Sequence, residues 1–405
     1  MLCHTYHRWS ALVDSCRQNP WIAGELLSVP YGKVSRTNTE RNEEFGMIGA
    51  WDTVRVVELA RRLREAETGG WSGPALRAVV EGLGWQWQEG TSGPRLVTGP
   101  APDASPRWTP RLRPVDRFEK DYVHGGEEYV GLYVPVALPE GGAAGKAAAF
   151  RAVAEVLTQE FGPASIMGAY GDPGPFYDSA PLWGSPFLRW RERENTLELH
   201  AGEHGPELLL QPTDPVENWF WRQGHGEHYA LGGFFGSRRD PANAGLGFPG
   251  RWRTDDWDVF THTLGDFLDT LPAETHALGI ELDFGFHALV PGTYGPILFH
   301  LLCGDRLEII YDPERLGEGV TDPASFGWIP QATRPAALDH WLEAPYHSGD
   351  FGIGEVDGRR LARMMVATLR DLGVSSPKDL SLTDHAQSVG DYHVDYYGLT
   401  LQENP

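Results

Sequence analysis

Residues 187–211, FLRWRERENTLELHAGEHGPELLLQ, predict three consecutive strands of an antiparallel sheet. The strands are expected at 187–191, 196–200 and 207–211. Polar turns at 192–195 and 202–205 separate them, and connections this short join strands that are neighbours in a sheet. The stretch therefore predicts a meander, and with it a fold built on antiparallel pairing.

Helical patterns begin well before this meander. Four apolar residues recur at i, i+3, i+4 and i+7, with arginines on the opposite face, which is typical of a surface helix. They are Val56, Leu59, Ala60 and Leu63. The elements predicted before the meander are helices at 52–66, 74–83 and 147–161, strands at 85–87 and 129–138, and a surface loop over the proline-rich residues 94–114.

The same succession of helix, strands and helix returns after the meander. An apolar stripe predicts a helix that Thr254 or Asp255 caps. The stripe consists of Trp257, Phe260, Leu264, Phe267 and Leu271. Strands are predicted at 277–284, 296–303 and 306–311, and a last helix at 356–372. The predicted fold class is therefore α+β, with two sandwiches that each pack one antiparallel sheet against helices.

The length of 405 residues exceeds what one hydrophobic core usually supports, which predicts two domains. The boundaries that we expect are an N-terminal α+β domain at 47–236, a turn-rich linker at 237–252 and a C-terminal α+β domain at 253–405. Residues 1–46 show no sustained period. They are either an irregular arm or a spurious upstream extension of a chain whose natural start is Met47.

The formal net charge of -22 argues against nucleic acid and membrane as partners, because both need a basic footprint. It permits a basic protein partner. No stretch of 18 apolar residues occurs, and the first 30 residues lack the pattern of a signal peptide. The three cysteines do not make a disulfide framework. We therefore expect a cytoplasmic protein.

A glycine-rich stretch after a predicted strand has the setting of a phosphate-binding loop but lacks its residues. Glu140 stands where the motif GxxxxGK requires its first glycine, and Ala147 replaces the Ser or Thr that holds magnesium. The stretch 141–147 is therefore interpreted as a loop that opens a helix. No cofactor is predicted.

An alternating run near the C-terminus offers a possible metal site. Asp391, His393 and Asp395 share one face of a predicted strand, with Asp384 and His385 just upstream. Oxygen and imidazole ligands on one face can hold a divalent metal. Surface strands show the same alternation without a metal, so both interpretations stay open.

Other candidates for chemistry are weaker. Glu281 and Asp283 share a strand face, as paired carboxylates in acid–base catalysis can. Such pairs are usually solvated. Histidines around the meander lack the spacing of an HExxH site. They are His200, His204, His225 and His228.

An aromatic cluster is the strongest candidate for a binding surface. Trp219, Phe220 and Trp221 lie on a predicted short helix, and Phe234 and Phe235 follow. Three consecutive rings on a helix spread over more than a core-facing stripe, so at least one ring is expected at the surface. Exposed aromatic clusters often anchor protein interfaces. The alternative is that the following loop covers them.

The C-terminal half, about 254–380, resembles the TY-Chap family, small domains similar to type III secretion chaperones and YbjN-like proteins. The residues that carry the resemblance are Trp257, Phe260, Leu264 and Leu268, the turn 326–330 (FGWIP), His340-Trp341, Arg359-Arg360-Leu361, Leu369-Arg370, Gly373-Val374 and Pro377. Where that family often has Asn-Trp, this chain has His340-Trp341.

The N-terminal part, 47–228, resembles an uncharacterised bacterial domain family found near toxin and conflict genes. Trp85, Trp87 and the run from Trp183 to Leu199 carry this resemblance. The two resemblances imply a chaperone-like fold and a non-catalytic immunity-type or escort function, with a toxin or secreted effector as partner. The alternative is a metal-dependent hydrolase that uses the Asp/His strand near the C-terminus.

Overall fold

The chain divides into two compact units, Met1–Gly46 and Met47–Pro405. The computed structural model describes, all within the second unit, residues 53–91, 93–98, 109–115, 128–170, 181–213, 235–238, 254–290, 293–311, 321–330, 346–383, 393–395 and 402–403. The predictions for 1–46 and for most of the linker 237–252 lie outside these ranges. The fold is therefore that of the second unit.

Five α-helices occur in the described residues. They are α1 (Thr53–Arg64), α2 (Gly73–Gly82), α3 (Gly142–Phe161), α4 (Trp257–Leu278) and α5 (Gly358–Asp371). The strands of the first half are β1 (Gln86–Gln88), β2 (Arg95–Val97), β3 (Arg111–Pro114), β4 (Tyr129–Pro135), β5 (Ile166–Ala169), β6 (Pro186–Arg191), β7 (Asn195–Ala201), β8 (Pro206–Pro212) and β9 (Phe235–Arg238). Those of the second half are β10 (Leu282–Val290), β11 (Thr293–Cys303), β12 (Arg306–Tyr311), β13 (Ile329–Pro330), β14 (Tyr346–Gly352), β15 (Leu380–Thr383), β16 (His393–Asp395) and β17 (Gln402–Glu403).

The described strands form three sheets, and the α+β class is confirmed. β1 and β2 pair with each other, a seven-stranded sheet has the order β13-β14-β12-β11-β10-β15-β17, and an eight-stranded sheet has the order β16-β9-β5-β6-β7-β8-β4-β3. Neighbours are antiparallel except for the parallel pair β15 and β17. The predicted meander is confirmed as β6, β7 and β8, with Leu188 opposite Leu199 and Leu199 opposite Leu208.

The eight-stranded sheet packs one face against helices. Its strands place Leu188, Leu199 and Leu210 in the hydrophobic core together with residues of α1 and α3. The predicted stripe of α1 is confirmed, because Val56, Leu59, Ala60 and Leu63 are all buried. This face is called the helix side of the sheet below.

The glycine-rich stretch forms the first turn of α3, so this helix begins five residues before its predicted start. Gly141 takes a left-handed conformation with φ of 94°. A Cβ on Gly145 would lie 1.9 Å from the carbonyl oxygen of Glu140. The glycines therefore serve a tight helix start, and Lys146 donates from Nζ to the backbone oxygen of Glu203 at 2.7 Å.

Three predictions of local structure are wrong. The N-cap of α4 is Asp256 and not Thr254 or Asp255. The range 94–114 contains two short strands, β2 and β3, where only a loop was expected. The strand expected from 277 begins at Leu282, because α4 continues to Leu278. Gly279, with φ of 68°, ends the helix, and the amide of Ile280 donates to the oxygen of Thr275 at 3.0 Å.

The seven-stranded sheet packs against α4 and α5. Phe299 and Trp328 stack with their ring centroids 5.5 Å apart, and Trp328 donates from Nε1 to Thr368 Oγ1 on α5 at 2.9 Å. The two helices approach closely where a Cβ on Gly358 would lie 2.1 Å from the oxygen of Gly265. A glycine at this point lets the two helix backbones meet.

A buried carboxylate connects α4 to the eight-stranded sheet. Glu274 Oε1 accepts from the backbone amide of Ser185, just before β6, at 3.0 Å, and from Thr270 Oγ1 at 3.1 Å. Burial raises the pKa of Glu274 to about 7, against the hydrogen bonds from Ser185 and Thr270, which lower it. The side chain therefore changes charge near neutral pH at a contact between the two halves.

Candidate functional site

The predicted aromatic surface falls mostly outside the described residues. Trp219, Phe220, Trp221 and Phe234 lie there, and Phe235 is described only as the first backbone position of β9. The exposure of these rings therefore remains a prediction.

The predicted metal residues are likewise only partly described. Asp384, His385 and Asp391 lie outside the described ranges, while His393 and Asp395 occupy β16. This strand pairs with β9, with Asp395 opposite Gly236. The backbone of the metal candidate thus lies beside that of the aromatic candidate. The part of the chain that can be searched holds no group of three or more His, Cys, Asp or Glu side chains suited to a metal ion.

The weaker candidates have separate places in the fold. Glu281 is exposed just before β10, and Asp283 is half-buried within it. His204 lies 3.9 Å from Glu203, whereas His200 is buried in β7. His225 and His228 fall outside the described ranges. Of the four histidines, His200 and His204 are therefore the two that can be placed, one buried and one partly exposed.

Several cationic side chains of the described surface are paired with carboxylates. Arg61 contacts Glu160 at 2.6 Å, and Arg64 contacts Glu192 at 2.5 Å. The other exposed Lys and Arg residues in such pairs are Arg77, Arg111, Arg151, Arg306 and Lys378. Each exposed pair contributes little to stability. Together they remove positive charge from the surface.

Exposed carboxylates remain after this pairing. Within the described ranges several have no Lys or Arg partner, and they are Glu65, Glu67, Glu128, Glu140, Glu194 and Glu281. The formal net charge of -22 is thus carried in part by free carboxylates at the surface. Such a surface attracts cations and basic proteins.

A groove between α1 and α2 gathers two of these carboxylates. It has a volume of about 360 Å³ and is lined by Arg62, Glu65 and Glu67 along the end of α1 and by Val79 and Leu83 at the end of α2. Arg62 donates to the backbone oxygen of Gly82, so its guanidinium is directed to the helix end. The groove therefore combines an apolar wall with two free carboxylates.

The eight-stranded sheet also carries charge on the face opposite the helix side. Arg189 donates from Nε to Glu198 Oε2 at 2.9 Å, and the two side chains are 1% and 0% exposed. Tyr170 donates from its hydroxyl to the same oxygen at 3.0 Å. Its ring stacks on Phe187 with centroids 4.0 Å apart. An ion pair buried this deeply depends on both partners, because either charge alone would lack solvation.

A second ion pair lies on this face. Arg111 donates to both oxygens of Glu207, at 2.9 and 2.7 Å, and its guanidinium lies 4.2 Å from the centroid of the Tyr133 ring. His200 Nε2 lies 3.6 Å from Glu207 Oε2. Burial acts to raise the pKa of Glu207, but hydrogen bonds from His200 and Arg111 and the charge of Arg111 outweigh it and lower the pKa to about 2. Glu207 is therefore ionised at neutral pH.

Sequence reasoning missed this charged face. The signal in the sequence is that charged and apolar residues alternate along two neighbouring strands. Arg189 precedes Trp190 in β6, and Glu198 and His200 alternate with Leu199 and Ala201 in β7. Opposite charges at cross-strand positions stabilise a sheet. The register confirms Arg189 opposite Glu198.

No family model, no curated protein and no solved structure matches the chain. The resemblance to the TY-Chap family therefore stays a prediction. None of the helices in the part of the chain that the structure describes is long and apolar enough to cross a membrane.

Proposed function

We propose that this chain is a non-catalytic protein-binding protein of chaperone-like or immunity type that acts in the cytoplasm. It neutralises or escorts a basic partner protein, a toxin or a secreted effector. The observation that supports this proposal is the set of exposed carboxylates without a cationic partner, on a chain whose formal net charge is -22.

The charge distribution favours a binding function through simple electrostatics. Complementary charge accelerates encounter and selects against partners of the same sign. The acceleration is lost at high ionic strength, because salt screens exposed charges over about 8 Å at physiological concentration. Binding of a basic partner is therefore expected to weaken strongly with salt.

The groove between α1 and α2 is the part of this surface that we assign to the partner. Glu65 and Glu67 supply the charge, and the ends of the two helices supply an apolar wall. A basic side chain with an apolar stem fits both, because Lys and Arg pack their methylene groups on apolar surface and keep the charge in contact with a carboxylate.

The test is affinity purification of the tagged full chain from its native host at low and at high salt, followed by measurement of the dissociation constant with the purified partner. We expect a stoichiometric basic protein that high salt releases. The double change Glu65→Lys, Glu67→Lys is expected to weaken binding by about tenfold, because it reverses two charges at the contact.

A matched control changes the same charge elsewhere. Glu128→Lys with Glu140→Lys alters two exposed, unpaired carboxylates outside the groove, and it is expected to change binding less. A bound fraction with no basic protein would contradict the proposal. One metal ion per chain in that fraction would instead favour the metal-dependent hydrolase and direct attention to residues 384–395.

A further inference from the structure

A second groove, between α4 and α5, has the opposite charge. The two helices touch at Gly265 and Gly358, and at the other end Trp257 donates from Nε1 to the oxygen of Ser375 at 3.2 Å. Between these contacts lies an open groove of about 400 Å³. This volume is within the range of small-molecule sites.

Arginines line this groove. Arg359, Arg363 and Arg370 lie along α5, and all three are exposed. Val366 forms part of the floor between them. The groove therefore offers three guanidinium groups around an apolar base.

Within the described ranges no carboxylate lies within ion-pair distance of these three arginines, and together they line one groove. Arg370 instead lies over the Trp257 ring, 5.3 Å from its centroid. On the α4 side, His262 is paired with Asp266 at 3.2 Å, and Asp258 is the carboxylate that lines the groove. Positive charge is therefore in excess in the groove, on a chain with a large excess of negative charge.

The sequence of α5 also conflicts with ordinary helix electrostatics. Its first turn contains no acidic residue, although acidic side chains are favoured there, and it carries Arg359 and Arg360. The helix dipole places positive charge at this end, so each arginine there costs a few tenths of a kcal/mol. Of these two arginines, Arg359 lines the groove.

We propose that the groove between α4 and α5 binds a small organic polyanion through Arg359, Arg363 and Arg370. Guanidinium groups bind phosphate and carboxylate oxygens in pairs, which gives both strength and geometry. Val366 contacts the apolar part of the ligand. This site lies on a different surface from the acidic groove and does not depend on the proposed function.

The experiment is isothermal titration calorimetry of the full chain at low ionic strength, with inorganic pyrophosphate and with citrate as probes. We expect saturable binding of one probe per chain. A pyrophosphate response alone assigns a phosphorylated ligand, a citrate response alone assigns a polycarboxylate, and both results support the site. No saturable binding of either probe overturns the proposal.

The decisive comparison uses two double variants with the same change of charge. Arg359→Ala with Arg363→Ala removes two guanidinium groups from the groove, and binding should weaken by about tenfold or more, because hydrogen bonds between charged groups are strong. Arg193→Ala with Arg360→Ala removes two exposed arginines outside it, and binding should stay within about twofold. Equal weakening in both variants would reduce the effect to net charge and overturn the proposal.

A milder variant guards against a loss of folding. Arg363→Lys keeps the charge but loses the planar pair of donors, and it should weaken binding several-fold while the thermal unfolding midpoint stays that of the unchanged protein. Unchanged binding by both this variant and the double groove variant would contradict the assignment.

Discussion

The arginines of the eight-stranded sheet and those of helix α5 are placed in opposite ways. Arg189 is buried with a carboxylate 2.9 Å from its Nε, and Arg111 holds both oxygens of Glu207. Arg359 and Arg363 are exposed beside an open groove, without an ion pair among the described residues. The paired arginines stabilise the sheet, whereas the unpaired arginines contribute little to the stability of the fold and are available to bind a ligand.

The largest expected effect comes from breaking the buried pair. Arg189→Ala leaves the charge of Glu198 buried without its cation, and it should lower the free energy of unfolding by about 3–5 kcal/mol. Urea denaturation measures this directly. Combining Arg189→Met with Glu198→Leu should restore part of the loss, because an apolar pair needs no solvation, while the buried hydroxyl of Tyr170 loses its acceptor. A loss below about 1 kcal/mol in the single variant would contradict this role.

Breaking the ion pair of Arg111 and Glu207 should lower the free energy of unfolding by a smaller amount, and this amount should depend on pH. The folded pKa of Glu207, about 2, lies below its ordinary value of 4.5, so its stabilisation is present above pH 4.5 and is lost as the pH falls towards 2. Since Arg111 is about half exposed, we expect Glu207→Gln to cost about 2 kcal/mol at pH 7. Denaturation of both proteins from pH 7 to pH 3 should show their stabilities converging. A constant difference would show that the ion pair is not its origin.

Glu274 differs from Glu207 in being a buried carboxylate with no cationic partner among the described residues. Its folded pKa of about 7 lies above the ordinary 4.5, so the stability that it contributes below pH 4.5 is lost as the pH rises through 7. Glu274→Gln keeps an acceptor for Ser185 and removes this loss. It should therefore raise the free energy of unfolding by about 1–2 kcal/mol at pH 8, and by less at pH 5. A destabilised variant at pH 8 would show that the negative charge itself is needed at this contact.

The smallest effect concerns the first turn of α5. Arg360→Glu places an acidic residue three positions after the N-cap Asp357, where it favours the helix dipole. The free energy of unfolding should rise by about 0.5 kcal/mol. Arg77→Glu, on the exposed face of α2 and four residues before Glu81, should instead lower it slightly. A fall in the first variant would mean that Arg360 has a partner in the fold.

The sequence predicts the elements well where a periodic pattern is long. The stripe of α1 follows the helical period of 3.6 residues, and the three strands of the meander are separated by clear polar turns. Both predictions are confirmed. The start of the strand after α4 was predicted wrongly because the apolar residues Ala277 and Leu278 suit a helix and a strand equally. Gly279 decides between them by ending the helix.

The candidate sites were harder to predict, because each depends on tertiary structure. Arg189 and Glu198 have the pattern of outward-facing residues on a half-exposed strand, and only the covering of both sheet faces buries them. Arg359 and Arg363 have the pattern of a solvated helix face. The groove beside them exists because Gly265 and Gly358 bring two distant helices together, and a glycine alone does not reveal its neighbour.

The pairing of β16 with β9 has a consequence for how the protein is made. β16, residues His393–Asp395, is the outermost described strand of a sheet whose other strands end at Arg238. During synthesis the ribosome completes the rest of this sheet more than 150 residues before it reaches β16. Since domains generally fold as the chain emerges, the edge at β9 is open while the whole second half is translated. Until β16 emerges, the nascent chain therefore carries an unpaired strand edge at β9, a place where chaperones or a second nascent chain can bind.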